Sequence, residues 1–283
     1  MTALVKTRRK FPRLWWVVTG VVVAAVIGVA TMEVTTQQGL NFEVSTHRLP
    51  LYLKAFQFID RSVQYSQISE EVTRDAVSDT DRVLKIFEWT ERRIMDTPEG
   101  WPVVDDHILH IIIRGHGVTD QQADVFATLA TYSGVPTFWA KVRAAEPSGP
   151  GIILSFALVD GQWRVFDMFN KVIFRLRAGE LATMDDLAGH PELVPAHVRG
   201  LDVDGVMYAD IVTGATMPTI PSPLRAELQM PLARLWYEMK RLVGLTAPVA
   251  DPFAASSRTT ASIGGVSRVL LPPVGGQVSA RVL

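Results

Sequence analysis

The chain has 283 residues, 48% hydrophobic and 20% charged, enough for a sizeable core in one large domain or two small ones. It contains no cysteine, which excludes disulfides, thiolate metal sites and any thiol nucleophile. Its net charge is −1, yet Lys6, Arg8, Arg9, Lys10 and Arg13 open the chain with no acid among them; taking those five charges from the total leaves −6 on the rest, an acidic body with no footprint for nucleic acid.

Residues 14–34, LWWVVTGVVVAAVIGVATMEV, carry one charge, Glu33, and as a helix at about 1.5 Å per residue would cover roughly 30 Å, the thickness of a bilayer core. The basic residues of 1–13 predict a cytoplasmic N-terminus by the positive-inside bias. Trp15 and Trp16 fall where an aromatic belt would lie, so the bulk of the chain is expected outside, periplasmic or extracellular. The alternative is a cleaved signal peptide with Gly28 and Ala30 before the cut; an uncleaved anchor is preferred because the apolar run exceeds the usual ~7–15-residue signal core.

Residues 35–50 read as a linker. LYLKAFQFIDRSVQYSQISEEVTRDA follows, with Leu51, Leu53, Phe56, Phe58, Ile59, Val63 and Ile68 near helical spacing, which predicts one or two short helices. In SDTDRVLKIFEWTERRIMDTPEGWP, Ser78 or Asp79 can cap a helix whose apolar face is Val83, Leu84, Ile86, Phe87 and Ile94, ending near Pro98 and Gly100. HILHIIIRG suits a buried strand or the end of a helix, and periodicity does not separate the two. The T-D-Q-Q run from Thr119 fits a capping box, with the Thr119 hydroxyl as N-cap and Gln122 reaching back, and Gly134-Val135-Pro136 supplies the stop. TFWAKVRA then predicts a strand, and GIILSFALV and QWRVFDMF two more, joined by the Asp160-Gly161 turn. A short helix near Met184 to Ala188, irregular chain, and a helix over about Leu224 to Val243 complete a domain spanning 51–245. Residues 246–283 have a composition that predicts a disordered tail. Helices followed by an antiparallel sheet define an α+β fold.

Three blocks, TDRVLKIFEWTERRI (Thr80 to Ile94), GVTDQQADVFATLATYSGVP (Gly117 to Pro136) and VDGQWRVFD (Val159 to Asp167), together resemble the transglutaminase-like superfamily, relatives of the papain-like thiol enzymes. The resemblance covers about a third of the chain. It implies a cysteine at a helix N-terminus, where the macrodipole and a neighbouring imidazole favour the thiolate. Thr119 stands in that place, and an alcohol there requires a strong positioned base. The family histidine falls on Ile152, with Ser155 the nearest polar residue. The family aspartate is present as Asp167, which without a histidine to orient is left a structural task. The resemblance therefore implies a transglutaminase-like pseudoenzyme acting as a binding or scaffold module. By similarity to cysteine-less relatives with an R-G-x-G-x-x-D-Q run, its partners would be the membrane and an envelope polysaccharide or another envelope protein. The alternative is an active acyl-transfer enzyme or hydrolase that uses Thr119 as a non-cysteine nucleophile, activated by His116 or Asp120, or a glycan-active protein using Asp105 and Asp120.

Other residues carry weaker signals. Asp105, Asp106, His107, His110 and His116 form the one cluster of histidines and carboxylates, but its spacing gives no confirming third ligand, so no metal site is assigned. No motif implies a cofactor: Gly115 and Gly117 lack the glycine and Lys-Ser/Thr of a phosphate loop. Among Trp89, Trp101, Trp139 and Trp163, the loop residue Trp101 is the one expected at the surface, and with His116 and Asp120 it makes the candidate binding set.

Overall fold

The computed structural model describes residues 13–40, 43–105, 107–144 and 149–245. In chain order the elements are α1 (Arg13–Ala30), β1 (Glu33–Leu40), β2 (Glu43–Pro50), α2 (Leu51–Thr73), α3 (Asp79–Arg93), β3 (Met95–Asp96), β4 (Val104–Asp105), α4 (Ile108–Arg114), β5 (His116–Gly117) and α5 (Thr119–Tyr132). They continue with β6 (Thr137–Arg143), β7 (Gly151–Val159), β8 (Gln162–Asp167), β9 (Val172–Ile173), α6 (Met184–Leu187), α7 (Ala196–Arg199), β10 (Asp202–Val203), β11 (Val206–Met207), α8 (Tyr208–Gly214) and α9 (Pro231–Leu242). The fold is α+β, with a four-stranded antiparallel sheet in the order β6-β7-β8-β9. The chain divides into two compact units, Met1–Arg61 with Pro102–Asp106, and Ser62–Trp101 with His107–Leu283.

In the first unit, the expected linker at 35–50 is instead an antiparallel hairpin, β1 on β2 from Glu33 opposite Pro50 to Leu40 opposite Glu43. The physical reason is visible in EVTTQQGL and EVSTHRLP, where β-branched residues suit a pleated surface better than a flexible spacer. β4 adds to the free edge of β1, pairing Gly39 with Asp105. α1 has 18 residues rather than the 21 of the expected span, because strand geometry begins at Glu33. No helix among the described residues is long and apolar enough to cross a membrane. α2 is one helix of 23 residues, where one or two short ones were predicted.

The second unit holds the core. α3 begins as predicted: the Ser78 hydroxyl accepts from the Asp81 backbone N–H at 3.1 Å. HILHIIIRG resolves to the helix α4, ended by Gly115 at φ 74°, a left-handed conformation that a side chain would strain. Asp160 (φ 52°) and Gly161 (φ 74°) make the predicted two-residue turn between β7 and β8. α5 packs on one face of the sheet, where Phe126 and Leu129 join Ala157, Val159 and Phe166 in one cluster with Ile86 and Phe87 of α3. The opposite face, with Ile152, Leu154, Phe156 and Val165, is covered by Tyr208, Ile211 and Val212 of α8 and by Met184 and Leu187 of α6. α8 lies where the sequence predicted irregular chain; at seven residues it is too short for a legible period. The last helix starts at Pro231, well after Leu224, since proline is favoured at a first helical position. The predicted disordered tail at 246–283 lies outside the described residues.

Candidate functional site

α5 starts one residue earlier than a Thr119 cap requires. The N-cap is Val118, whose side chain has no acceptor, and Thr119 is the first helical residue. The reciprocal half of the box is made by Gln121, not Gln122: its Oε1 accepts from the Val118 backbone N–H at 3.3 Å and from Arg114 Nη2 at 2.8 Å. Gln122 turns instead to the short parallel pair β3-β5, donating from Nε2 to Asp96 Oδ1 at 2.8 Å and to the Gly117 carbonyl at 3.2 Å. Arg114 Nε closes the loop on the His116 carbonyl at 2.9 Å. Space is tight at Gly117: a Cβ there would lie 3.1 Å from Gln121 Cβ and 3.2 Å from Ile111 Cγ2, so a larger residue would push these side chains by a few tenths of an ångström. The run from Arg114 to Gln122 thus acts as a lock on the entrance of α5.

At this entrance the structure brings two of the three candidate binding residues together. Trp101 is 58% exposed, and its ring meets that of His116 edge-on with centroids 5.2 Å apart. His116 Nδ1 is buried with no hydrogen-bond partner, an arrangement that carries a desolvation cost unless something fills it. Asp120 occupies the first turn of α5, half-buried, where its charge favours the positive helix end. The other cluster is not assembled as a site: His107 and His110 do share a face of α4, rings 5.9 Å apart, and both are exposed. Asp106 lies outside the described residues, and among those described no group of three His, Asp or Glu is placed to hold a metal.

The three family-equivalent positions are not brought together. Thr119 leads the helix that packs on the sheet face bearing Ile153, Ala157 and Phe166, whereas Ile152 faces away, into the cluster with Tyr208. Asp167 also points to that far side, where its Oδ2 accepts from the Tyr208 hydroxyl at 2.6 Å and from Asn170 Nδ2 at 2.9 Å, while Oδ1 accepts from the Asn170 backbone N–H at 2.9 Å. Burial, at 1% exposure, pushes the Asp167 carboxyl above its ordinary range, and these donors pull it partly back. Burial beside that carboxylate raises the Tyr208 hydroxyl in turn. Asp167 is therefore a turn-forming residue that ties the end of β8 to α8.

Two features on the α5 side have no strong signature in the sequence. Asp124 accepts from Trp139 Nε1 at 2.5 Å and pairs with Arg225 Nη2 at 2.8 Å, and the guanidinium lies 5.8 Å from the centroid of the Trp139 ring. Ser155, opposite Trp139 in the register, has a buried hydroxyl without a partner. The residues that meet here are 15 and more positions apart, a pairing no local pattern encodes.

No family model and no curated protein matches the chain. Among solved structures, it is similar to a cysteine-protease candidate from Cytophaga hutchinsonii, at 15% identity and TM-score 0.34, over 42% of this chain and 40% of that one. A protease candidate from Parabacteroides distasonis gives 13% identity and TM-score 0.32 over 39% and 25%. A TGase gives 13% and 0.28 over 51% and 46%. The chain thus spans less than half the length of each, and likeness at this level is too slight to bear on fold or activity, which stand on the chain's own residues.

Proposed function

We propose that this chain is a transglutaminase-like domain that works by binding rather than by covalent catalysis, held at the cell envelope by its N-terminal segment. The observation that carries the reading is the entrance of α5, where the place of a thiol is taken by Thr119 and the buried Nδ1 of His116, the nearest imidazole in the chain, has no hydrogen-bond partner among the described residues. A helix terminus lowers the pKa of a thiol into reach, but an alcohol remains unionised without a base against it. The exposed Trp101 ring beside His116 suits stacking on a sugar, and the ligand class that follows is an envelope polysaccharide or the glycan of a partner protein.

The purified full chain is expected to show no hydrolysis or transamidation of glutaminyl and amide substrates above background, with Thr119→Ala indistinguishable from it. The unpartnered His116 Nδ1, three residues before Thr119, is the observation that favours the enzymatic alternative. Activity that Thr119→Ala abolishes at unchanged melting temperature would establish that alternative and end the binding reading.

A further inference from the structure

α9 is an amphipathic helix set the wrong way round for a globular protein. Leu232, Leu235, Trp236, Met239, Leu242 and Val243 recur at i, i+3, i+4, i+7, i+10 and i+11, which at about 100° per residue gathers them in an arc of roughly 120°. Such a stripe ordinarily faces a core. Here every one is exposed, Leu232 at 81%, Trp236 at 58% and Leu242 at 83%, while Tyr237, on the opposite side, is the buried residue of the helix at 5%. Leu245, just past the helix end, is exposed as well. Contiguous exposed apolar surface of this kind marks an interaction site.

Charge decides which occupant fits. Arg234, Lys240 and Arg241 outnumber the single acid Glu238, which bridges Arg234 at 2.7 Å and Arg241 at 3.4 Å. Lys240 Nζ stands 5.2 Å from the Trp236 ring centroid, so a cation and an indole share one rim of the stripe. That combination of apolar stripe, aromatic at its edge and cations beside it is what an interface between acyl chains and anionic headgroups accepts. A second copy of the helix would bring like charges against one another. We infer that α9 lies on an anionic bilayer surface with Leu232, Leu235, Trp236 and Met239 in the acyl boundary and Lys240 at the headgroup phosphates, a contact separate from the N-terminal segment.

The absence of cysteine makes the test direct, since Met239→Cys provides a single labelling position on the full chain. A polarity-sensitive label there is expected to lose emission to lipid-borne quenchers in vesicles of phosphatidylcholine with phosphatidylglycerol. Less loss is expected in phosphatidylcholine alone, and none when Leu232→Glu and Leu235→Glu are added, with an unchanged circular-dichroism melt because both side chains are exposed. Equal quenching in the double-glutamate background would mean that the N-terminal segment alone holds the chain near lipid, and the inference fails. It fails too if no vesicle quenches the label. Energy transfer between labelled chains that the two glutamates abolish would assign the face to a second copy, and protection of the label in a monomer without lipid would assign it to this chain's own residues; either result overturns the bilayer assignment.

Discussion

The Tyr208 hydroxyl is one of the donors aimed at the Asp167 carboxylate, and the two residues are 41 positions apart, so this hydrogen bond clasps α8 to the end of β8. Its energetic weight depends on pH in a direction the burial sets. The folded-state pKa of Asp167 is raised, so ionisation opposes folding; that cost is absent below the unfolded pKa and grows as pH rises towards the folded one. Tyr208→Phe removes a donor that favours the ionised form and moves the folded pKa higher still. The substitution is expected to cost about 1–3 kcal/mol near neutrality, the usual penalty for a buried acceptor deprived of a partner. The loss should shrink as pH falls through the acid range, because a protonated carboxyl no longer needs the donor. Urea titrations at pH 7 and pH 4 measure the difference; a penalty independent of pH would mean that only ring packing is lost.

Ser78 and Thr119 look alike in sequence, each a hydroxyl residue ahead of an apolar run, yet they stand in different positions on their helices. Ser78 is a true N-cap, so Ser78→Ala is expected to cost about 1 kcal/mol. Thr119 is already helical and leaves the capping duty to Gln121, so Thr119→Ala should change stability by no more than about 0.5 kcal/mol. Thermal melts of the two variants against the parent decide the matter, and a Thr119 loss as large as that of Ser78 would restore the capping-box reading. The one-residue slip shows where sequence runs out at this scale. α3, α5, the three long strands and the Asp160-Gly161 turn follow from periodicity and turn chemistry, which are local. Which of two adjacent glutamines reaches back depends on Asp96 and Arg114, and these arrive through the β3-β5 pairing and the turn after α4. The hairpin at 33–50 was hidden for a related reason: its threonines and glutamines lack an apolar alternation, and its pairing is set by the partner strand. α8 is hidden by brevity, and with it the partner of Asp167. At the candidate site, the Trp101–His116 contact joins two residues the sequence had singled out, while Ile152 and Asp167 prove to face the side of the sheet away from α5.

The distribution of burial among the described residues places the folding core in the second unit. The described buried apolar side chains run from Tyr65 to Tyr237, all within the second unit, whereas the first unit exposes Trp15, Trp16, Val21, Val22 and Ile27 and contributes none. Burial of apolar surface is the main favourable term in folding, at about 25 cal/mol per Å². A chain begun at Ser62 keeps every residue of the three core clusters and is expected to unfold in one cooperative step, with a melting temperature close to that of the full chain. It should also lose the tight membrane association proposed for the N-terminal segment. Any association that remains would run through α9 and its cations, and contacts to anionic headgroups weaken as salt screens them. Fractionation therefore has a definite expected pattern: the full chain stays with the membrane pellet in high salt, the shortened chain leaves it, and at low salt the shortened chain binds unless Leu232→Glu and Leu235→Glu are present. A shortened chain that melts far below the parent would mean that residues before Ser62 carry folding energy that their exposure does not reveal, and one that resists high salt would place the principal membrane contact in the second unit.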